Sequence, residues 1–422
     1  MIRAKNLAFK FTALLCLFLY LFPFQFKVLP LSNTRILQII GAIGLLIYIL
    51  YKKKIHTKIL TFNYYGIIIL IIGIFSTIIV NESNQFNFAL TKGLYIVLYS
   101  CSAFLIVSLL KKSNKNFTPI KALEAIIYVT IFQAIISLLF FCFPNILELY
   151  NSLIIIDDNY LQKTEELNSF RLVGIGSVQF ANAAVHYGIA LWILILSYIS
   201  KDSYFYNKSW ALYIISPLFC ICGILSARTF FVILILTIIY IYYLLGYSHV
   251  KKAINIILKI SIPLILIGIG ILAYMIANDL DFIIEWALEL FINMSDGGKL
   301  ESASTNELKD MYVWPSSLKT WVCGDGMSQN ASGGFYMDSD VGYIRSLYYW
   351  GIIGSIIYYS IQFKYVSILR KSFHDYKIIQ LINIILIWFF IYSLKEFWAV
   401  EPYWVLLLFI ALFSNQSKKY TT

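Results

Sequence analysis

A chain of 422 residues that is 60% hydrophobic and only 13% charged, with a mean hydropathy of +0.77, does not belong to the soluble globular class, in which roughly a quarter of residues carry charge. Its net charge of +11 raises nucleic acid as a partner, but the placement of that charge along the chain excludes one. The apolar residues form uninterrupted runs, each near the ~20 residues that cross a bilayer core, and in lipid such runs must be helices because no backbone group can go unpaired. The ten-residue alternation of a membrane β-barrel is absent. The expected fold class is all-α, a polytopic membrane protein with about 12 transmembrane helices.

In chain order the predicted spans cover 7–24, 34–51, 64–80, 89–110, 122–143, 180–199, 209–225, 229–246, 254–277, 341–362, 378–395 and 402–414. Placing the N-terminus on the cytoplasmic side puts 22 of the 33 basic residues inside, Lys53, Lys112, Lys252 and Lys371 among them. Only Glu124, Asp202 and Asp375 of the 22 acidic residues share that side. This is the lysine and arginine bias of cytoplasmic loops, so the basic charge reports topology. It predicts a bacterial inner-membrane protein with both termini cytoplasmic. The first run follows Arg3, Lys5 and Lys10 like a signal peptide, but bulky Phe22-Pro23-Phe24-Gln25 replaces a cleavage site, and it reads as an uncleaved helix. The six cysteines show no zinc-ligand spacing and no disulfide framework.

The chain reads as a single domain, 1–422, with two outer loops too polar for lipid, 144–179 and 278–340. The larger, extracytoplasmic loop precedes the last three spans. It opens on an amphipathic run with Asp281, Glu285 and Glu289 on one face, suited to the membrane interface or to packing on the bundle. Ser304-Thr305-Asn306-Glu307 then predicts a capped helix through Trp314. Cytoplasmic loops are too short for a nucleotide-binding fold and no phosphate-binding GxxxxGK[ST] run occurs, so this chain alone cannot drive ATP-powered transport.

Arginine is scarce, six against 27 lysines, and Arg171, Arg228 and Arg345 all fall at the outer boundary. A guanidinium fork matches phosphate oxygens two at a time, and a cation at membrane depth needs a partner. Snorkelling or pairing with a loop carboxylate is the plainer account of any one of them; three at one depth point to an anionic ligand. Asp338-Ser339-Asp340 has the D-x-D form of metal-binding transferases, yet two carboxylates make a weak cage, and capping the next helix is the commoner role. As a base, either Asp338 or Asp340 could take a proton from a hydroxyl. His186 is the one histidine in the outer half of a span, placed for helix packing or for catalysis.

Two outer stretches, Arg171-Leu172-Val173-Gly174 before Asn182 and Leu225-Ser226-Ala227-Arg228-Thr229, join a glycine-rich run, Gly324-Asp325-Gly326-Met327-Ser328, and Asp338 to Gly354 entering a helix. With the span count and the late outer loop, these features resemble bacterial O-antigen polymerases over nearly the whole chain. The resemblance implies a glycosyltransferase that passes a growing glycan from undecaprenyl diphosphate to a new lipid-linked repeat unit. Arg171, Arg228 and Arg345 would bind the diphosphate, with Asp338, Asp340 or His186 as the catalytic base. Undecaprenyl-diphosphate-linked oligosaccharides and the lipid bilayer are the implied partners, a chain-length regulator protein a further one; nucleic acid is not. Neither metal nor other cofactor is required. O-antigen ligases share the architecture but carry a His-Asn pair where this chain has Asp340-Val341. A lipid-linked oligosaccharide flippase is the other alternative, though charges here keep out of span centres.

Overall fold

The computed structural model describes residues 2–52, 55–114, 116–156, 171–176, 180–277, 289, 292–293, 295, 303–331 and 333–418. Every regular element among them is helical, and only two isolated β-bridges occur, Phe26 with Ile154 and Gln329 with Phe335. The order begins with α1 (Ile2–Leu21), α2 (Asn33–Lys52) and α3 (Thr57–Ile74), which runs on as a π-helix over Phe75–Val80. A short α4 (Asn87–Ala89) enters α5 (Tyr95–Ser113) through a second π-helical turn, Leu90–Leu94. Then come α6 (Pro119–Cys142), α7 (Pro144–Leu153), α8 (Ala181–Ile199), α9 (Ser209–Ser226), α10 (Phe230–Leu245) and α11 (Val250–Ala277). Short α12 (Ala303–Asp310) and α13 (Leu318–Cys323) precede α14 (Gly342–Arg370), α15 (Tyr376–Tyr392) and α16 (Glu401–Lys418).

Eight of these helical stretches are long and apolar enough to cross a membrane, and four shorter apolar helices occupy the remaining predicted spans. The centre of the bundle is α8, whose apolar window is 94% buried, whereas those of α2 and α11 are only 22% and 17% buried. On α2 the outward face is Ile39, Ile43, Ile47 and Leu50, an apolar surface of the kind that marks contact with lipid. Lys259 lies inside α11 and reaches out to the Tyr198 hydroxyl at 2.9 Å and Ser209 Oγ at 2.8 Å, so its charge leaves the span interior.

Both described chain ends lie at the same end of the bundle. Lys112 Nζ stands 5.9 Å from the Phe9 ring, and Lys111 Nζ donates to the Phe413 carbonyl at 3.1 Å. At the opposite end, the polar connections knit together. Asn81 donates to the Gly324 carbonyl at 3.0 Å, Tyr312 to the Leu394 carbonyl at 2.6 Å, and the Ile155 amide to the Gln25 carbonyl at 2.8 Å.

One loop expectation changes and another gains detail. The polar segment after Cys142 contains a helix, α7, with Ile146, Leu149 and Leu153 exposed while Tyr150 stacks on Phe140; its outward apolar side is of the kind suited to a membrane interface. The predicted amphipathic run 282–290 lies outside the described residues except for Glu289. The helix expected through Trp314 stops at Asp310. Pro315 disfavours helical backbone at the residue before it, and the Met311 carbonyl is instead taken by Ser339 Oγ at 2.7 Å.

The Gly-Asp-Gly run is a packing wedge. Within α14, Gly351 adopts φ +69°, which breaks the helix, and a Cβ there would lie 2.2 Å from the Val322 carbonyl oxygen. The carbonyls released by the break are taken up locally. Asp325 N donates to Tyr348 O at 2.6 Å and Ser76 Oγ to Tyr349 O at 2.6 Å. Irregular backbone at membrane depth is tolerated only when enclosed by protein in this way. The π-helix after α3 supplies Ser76, in keeping with the tendency of such bulges to sit at specialised contacts.

Candidate functional site

The end of the bundle opposite the chain ends gathers most of the predicted residues. Arg171 heads a segment pinned by the Leu172 amide to the Leu225 carbonyl at 3.1 Å and by Gln133 Nε2 to the Ile175 carbonyl at 3.0 Å. Its guanidinium stands 5.5 Å from the centroid of the Phe180 ring. Arg228 occupies the tight turn between α9 and α10, is 11% exposed and pairs with Glu289. Arg345, in the first turn of α14, stacks 3.7 Å from the Phe335 centroid and 5.9 Å from Phe88.

A fourth cation joins these three. The span expected to reach residue 395 ends as a helix at Tyr392, which leaves Lys395 in the following turn. Lys395 lies within electrostatic reach of Arg171, Arg228, Glu396 and Asp340. Arg171 in turn senses Arg228 and Glu307, and Arg345 senses Glu396 and Asp340. Burial and the Arg228 charge both pull the Arg171 pKa down, so the cluster favours an anion that would offset this repulsion. Beneath it Lys92, 6% exposed on the π-helical turn, sits 4.1 Å from the Phe397 centroid and within reach of Arg345 and Glu401. Glu401 is buried and accepts hydrogen bonds from Tyr358 at 2.8 Å and Gln362 at 3.3 Å.

The carboxylates divide. Asp340 is half-buried and borders Arg345, Lys395 and Glu396. Asp338 does not join it. At φ +49° it is exposed, and it accepts from Asn330 Nδ2 at 2.9 Å. Ser339 between them is fully buried, so the D-x-D triplet is split rather than convergent. Asp325, in the Gly-Asp-Gly run, accepts from Thr320 at 2.6 Å and Tyr336 at 3.1 Å and braces its own loop.

His186 sits in the core of α8. It is 7% exposed, its Nδ1 is 2.6 Å from the Tyr403 hydroxyl and its ring packs on Phe22 and Tyr403. Among the described residues no contact joins it to the cations, and helix packing is the role its surroundings give it.

Glu396 is the residue the sequence reading passed over. Its Oε2 accepts from the Tyr392 hydroxyl at 2.6 Å, and Asn182 Nδ2 approaches Oε1 at 3.4 Å. Desolvation foremost, with the Asp340 charge helping, raises its pKa above the ordinary value; Tyr392, Lys395 and Arg345 oppose that shift. Lys395-Glu396, two charges inside an apolar stretch and next to Phe397-Trp398, was the available signal. The expected span 378–395 takes in Lys395 and leaves Glu396 in the short break before residue 402.

Comparison of the chain with protein-family models, with curated proteins and with solved structures returns no match.

Proposed function

We propose that this chain is a surface-polysaccharide polymerase of the O-antigen type, a glycosyltransferase joining lipid-linked repeat units at the outer face of a bacterial plasma membrane. In this reading the eight long and four shorter apolar helices make twelve crossings, and the end bearing the chain ends is cytoplasmic, as the lysine bias requires.

One observation carries the reading: Arg171, Arg228, Arg345 and Lys395 meet at one end of the bundle, with Asp340 and Glu396 beside Arg345 and Lys395 and Glu289 and Glu307 beside Arg228 and Arg171. Glycosyl transfer from a lipid diphosphate asks little nucleophilic power of the protein, because diphosphate is a good leaving group. It needs fixed cations where negative charge develops, which is the electrostatic contribution that dominates such reactions. In this reading Arg171 and Arg228 turn guanidinium forks to the phosphate oxygens, the diphosphate taking the place of Glu289 on Arg228; Lys395 links these two to Asp340 and Glu396, which Arg345 borders. Asp340 borders the reaction site, and direct displacement inverts the anomeric carbon. Lipid tails enter laterally, along the apolar outer surface.

A deletion strain tests this. Its surface polysaccharide, displayed on a gel, is expected to collapse to cores carrying one repeat, and wild type but not Arg228→Ala restores the ladder at equal expression. Loss of every repeat from the core would instead favour a ligase or flippase and end the polymerase reading.

A further inference from the structure

We propose that Glu396 is the group that takes the proton from the acceptor hydroxyl, a role resting on the polymerase reading and extending it to a residue outside the D-x-D triplet. The geometry favours it over the other three acids and bases. Asp338 is exposed and tied to Asn330, and His186 is buried against Tyr403. Among the described residues no side chain donates to Asp340, whereas Glu396 is held from two helices, by Tyr392 of α15 at 2.6 Å and Asn182 of α8 at 3.4 Å. A base oriented by fixed partners and, like Glu396, only half-buried meets the positional demand of general-base catalysis.

The step balances as follows. The acceptor O–H bond breaks and its proton passes to a Glu396 oxygen. The acceptor oxygen bonds to the anomeric carbon of the donor as the carbon–oxygen bond to diphosphate breaks. That electron pair leaves on the diphosphate, among Arg171, Arg228, Arg345 and Lys395. Glu396 then returns the proton to solvent, and undecaprenyl diphosphate departs. The charged groups facing Glu396 are Asp340 ahead of α14, Arg345 on α14 and the neighbouring Lys395, with the Tyr392 hydroxyl on α15. Desolvation and Asp340 move its titration above that of an ordinary carboxyl, toward the working pH of a base.

The test uses the full-length protein in lipid nanodiscs, mixed with membranes of the deletion strain that hold its accumulated lipid-linked repeat units. Product length is followed against pH, and undecaprenyl diphosphate binding is measured separately. Glu396→Gln is expected to slow transfer about 10²-fold or more, to lose the acidic limb of the pH profile and to bind undecaprenyl diphosphate like wild type. Glu396→Asp restores part of the rate together with the limb. Tyr392→Phe removes the hydrogen bond that favours the anion, and moves the limb to higher pH. Full activity in Glu396→Gln overturns the assignment and leaves the polymerase reading standing. Loss of undecaprenyl diphosphate binding by Glu396→Gln overturns it too, in favour of a residue that only positions the cations. A wild-type protein that lengthens nothing removes both proposals at once.

Discussion

The backbone of Gly342 lies so close to Glu396 that a Cβ at residue 342 would stand 2.7 Å from the Glu396 carbonyl oxygen and 2.9 Å from that of Ser393. The Tyr343 amide donates to the Ser393 carbonyl at 3.1 Å, so one of the orphan donors at the start of α14 is satisfied by the turn after α15. This seam sets Arg345 beside Glu396. Gly342→Ala is expected to part the two segments by a few tenths of an ångström or more and to lower polymer formation by up to about 10²-fold, as small misplacements of reacting groups do. Gel analysis of surface polysaccharide at matched membrane expression checks it; an unchanged ladder means the seam does not hold the site.

Arg228 distinguishes charge from shape. Arg228→Ala is expected to reduce transfer about 10²–10³-fold, the range for removing one donor that stabilises developing negative charge. Arg228→Lys recovers only a part, since a point charge replaces a two-pronged donor. Initial rates of chain extension in nanodiscs decide the order, and equal rates for lysine and arginine would reduce the site to simple charge attraction.

Gly351→Ala tests the broken helix. Residue 351 combines φ +69° with ψ −176°, a region only glycine occupies without strain of order 1–3 kcal/mol, and a Cβ would meet the Val322 carbonyl. The expected result is a lower Tm in detergent, followed by fluorescence-detected size exclusion after heating. Gly268→Ala in α11, where a Cβ meets nothing within 4 Å, leaves the Tm unchanged or slightly higher.

The Glu396 carboxyl links stability to pH. Its folded pKa is raised above the unfolded value of about 4.3, so the stability it contributes is fully present below that value and is lost as pH rises through the folded pKa. Glu396→Gln lacks this dependence. The Tm of the variant minus that of wild type therefore grows as pH increases from about 4 upward, and a difference that is flat across this range contradicts the desolvation of the Glu396 carboxyl.

His186 should matter to folding and not to transfer. His186→Phe breaks the hydrogen bond to Tyr403 and lowers the Tm, with a coupling of roughly 0.5–3 kcal/mol between His186→Phe and Tyr403→Phe in a double-mutant cycle. The polysaccharide ladder persists in the variant at equal protein level; its disappearance would return His186 to the list of bases.

Helical type and the places of the long apolar helices were readable because each depends on local composition: a bilayer selects runs of about 20 apolar residues. Arg171, Arg228 and Arg345 stand out in the sequence for a related reason, since a guanidinium near an apolar run is costly enough to be noticed singly. Glu396 and Lys395 were not, because two charges at the end of an apolar run look like an ordinary helix terminus. The split of Asp338 from Asp340 was equally hidden. It comes from the positive φ of Asp338 and the burial of Ser339 against the Met311 carbonyl, and a triplet pattern carries no record of either. The role of the Gly-Asp-Gly run emerged in the same way. Composition marked it as a loop, while its use as a wedge depends on Gly351 breaking a helix 27 residues later. Local chemistry thus dictates which segments are long and apolar enough to enter lipid, whereas the make-up of the candidate site follows from which helix ends meet. That meeting is governed by packing between elements distant in sequence, with Asn182, Gly342 and Glu396 brought together from three separate helix ends.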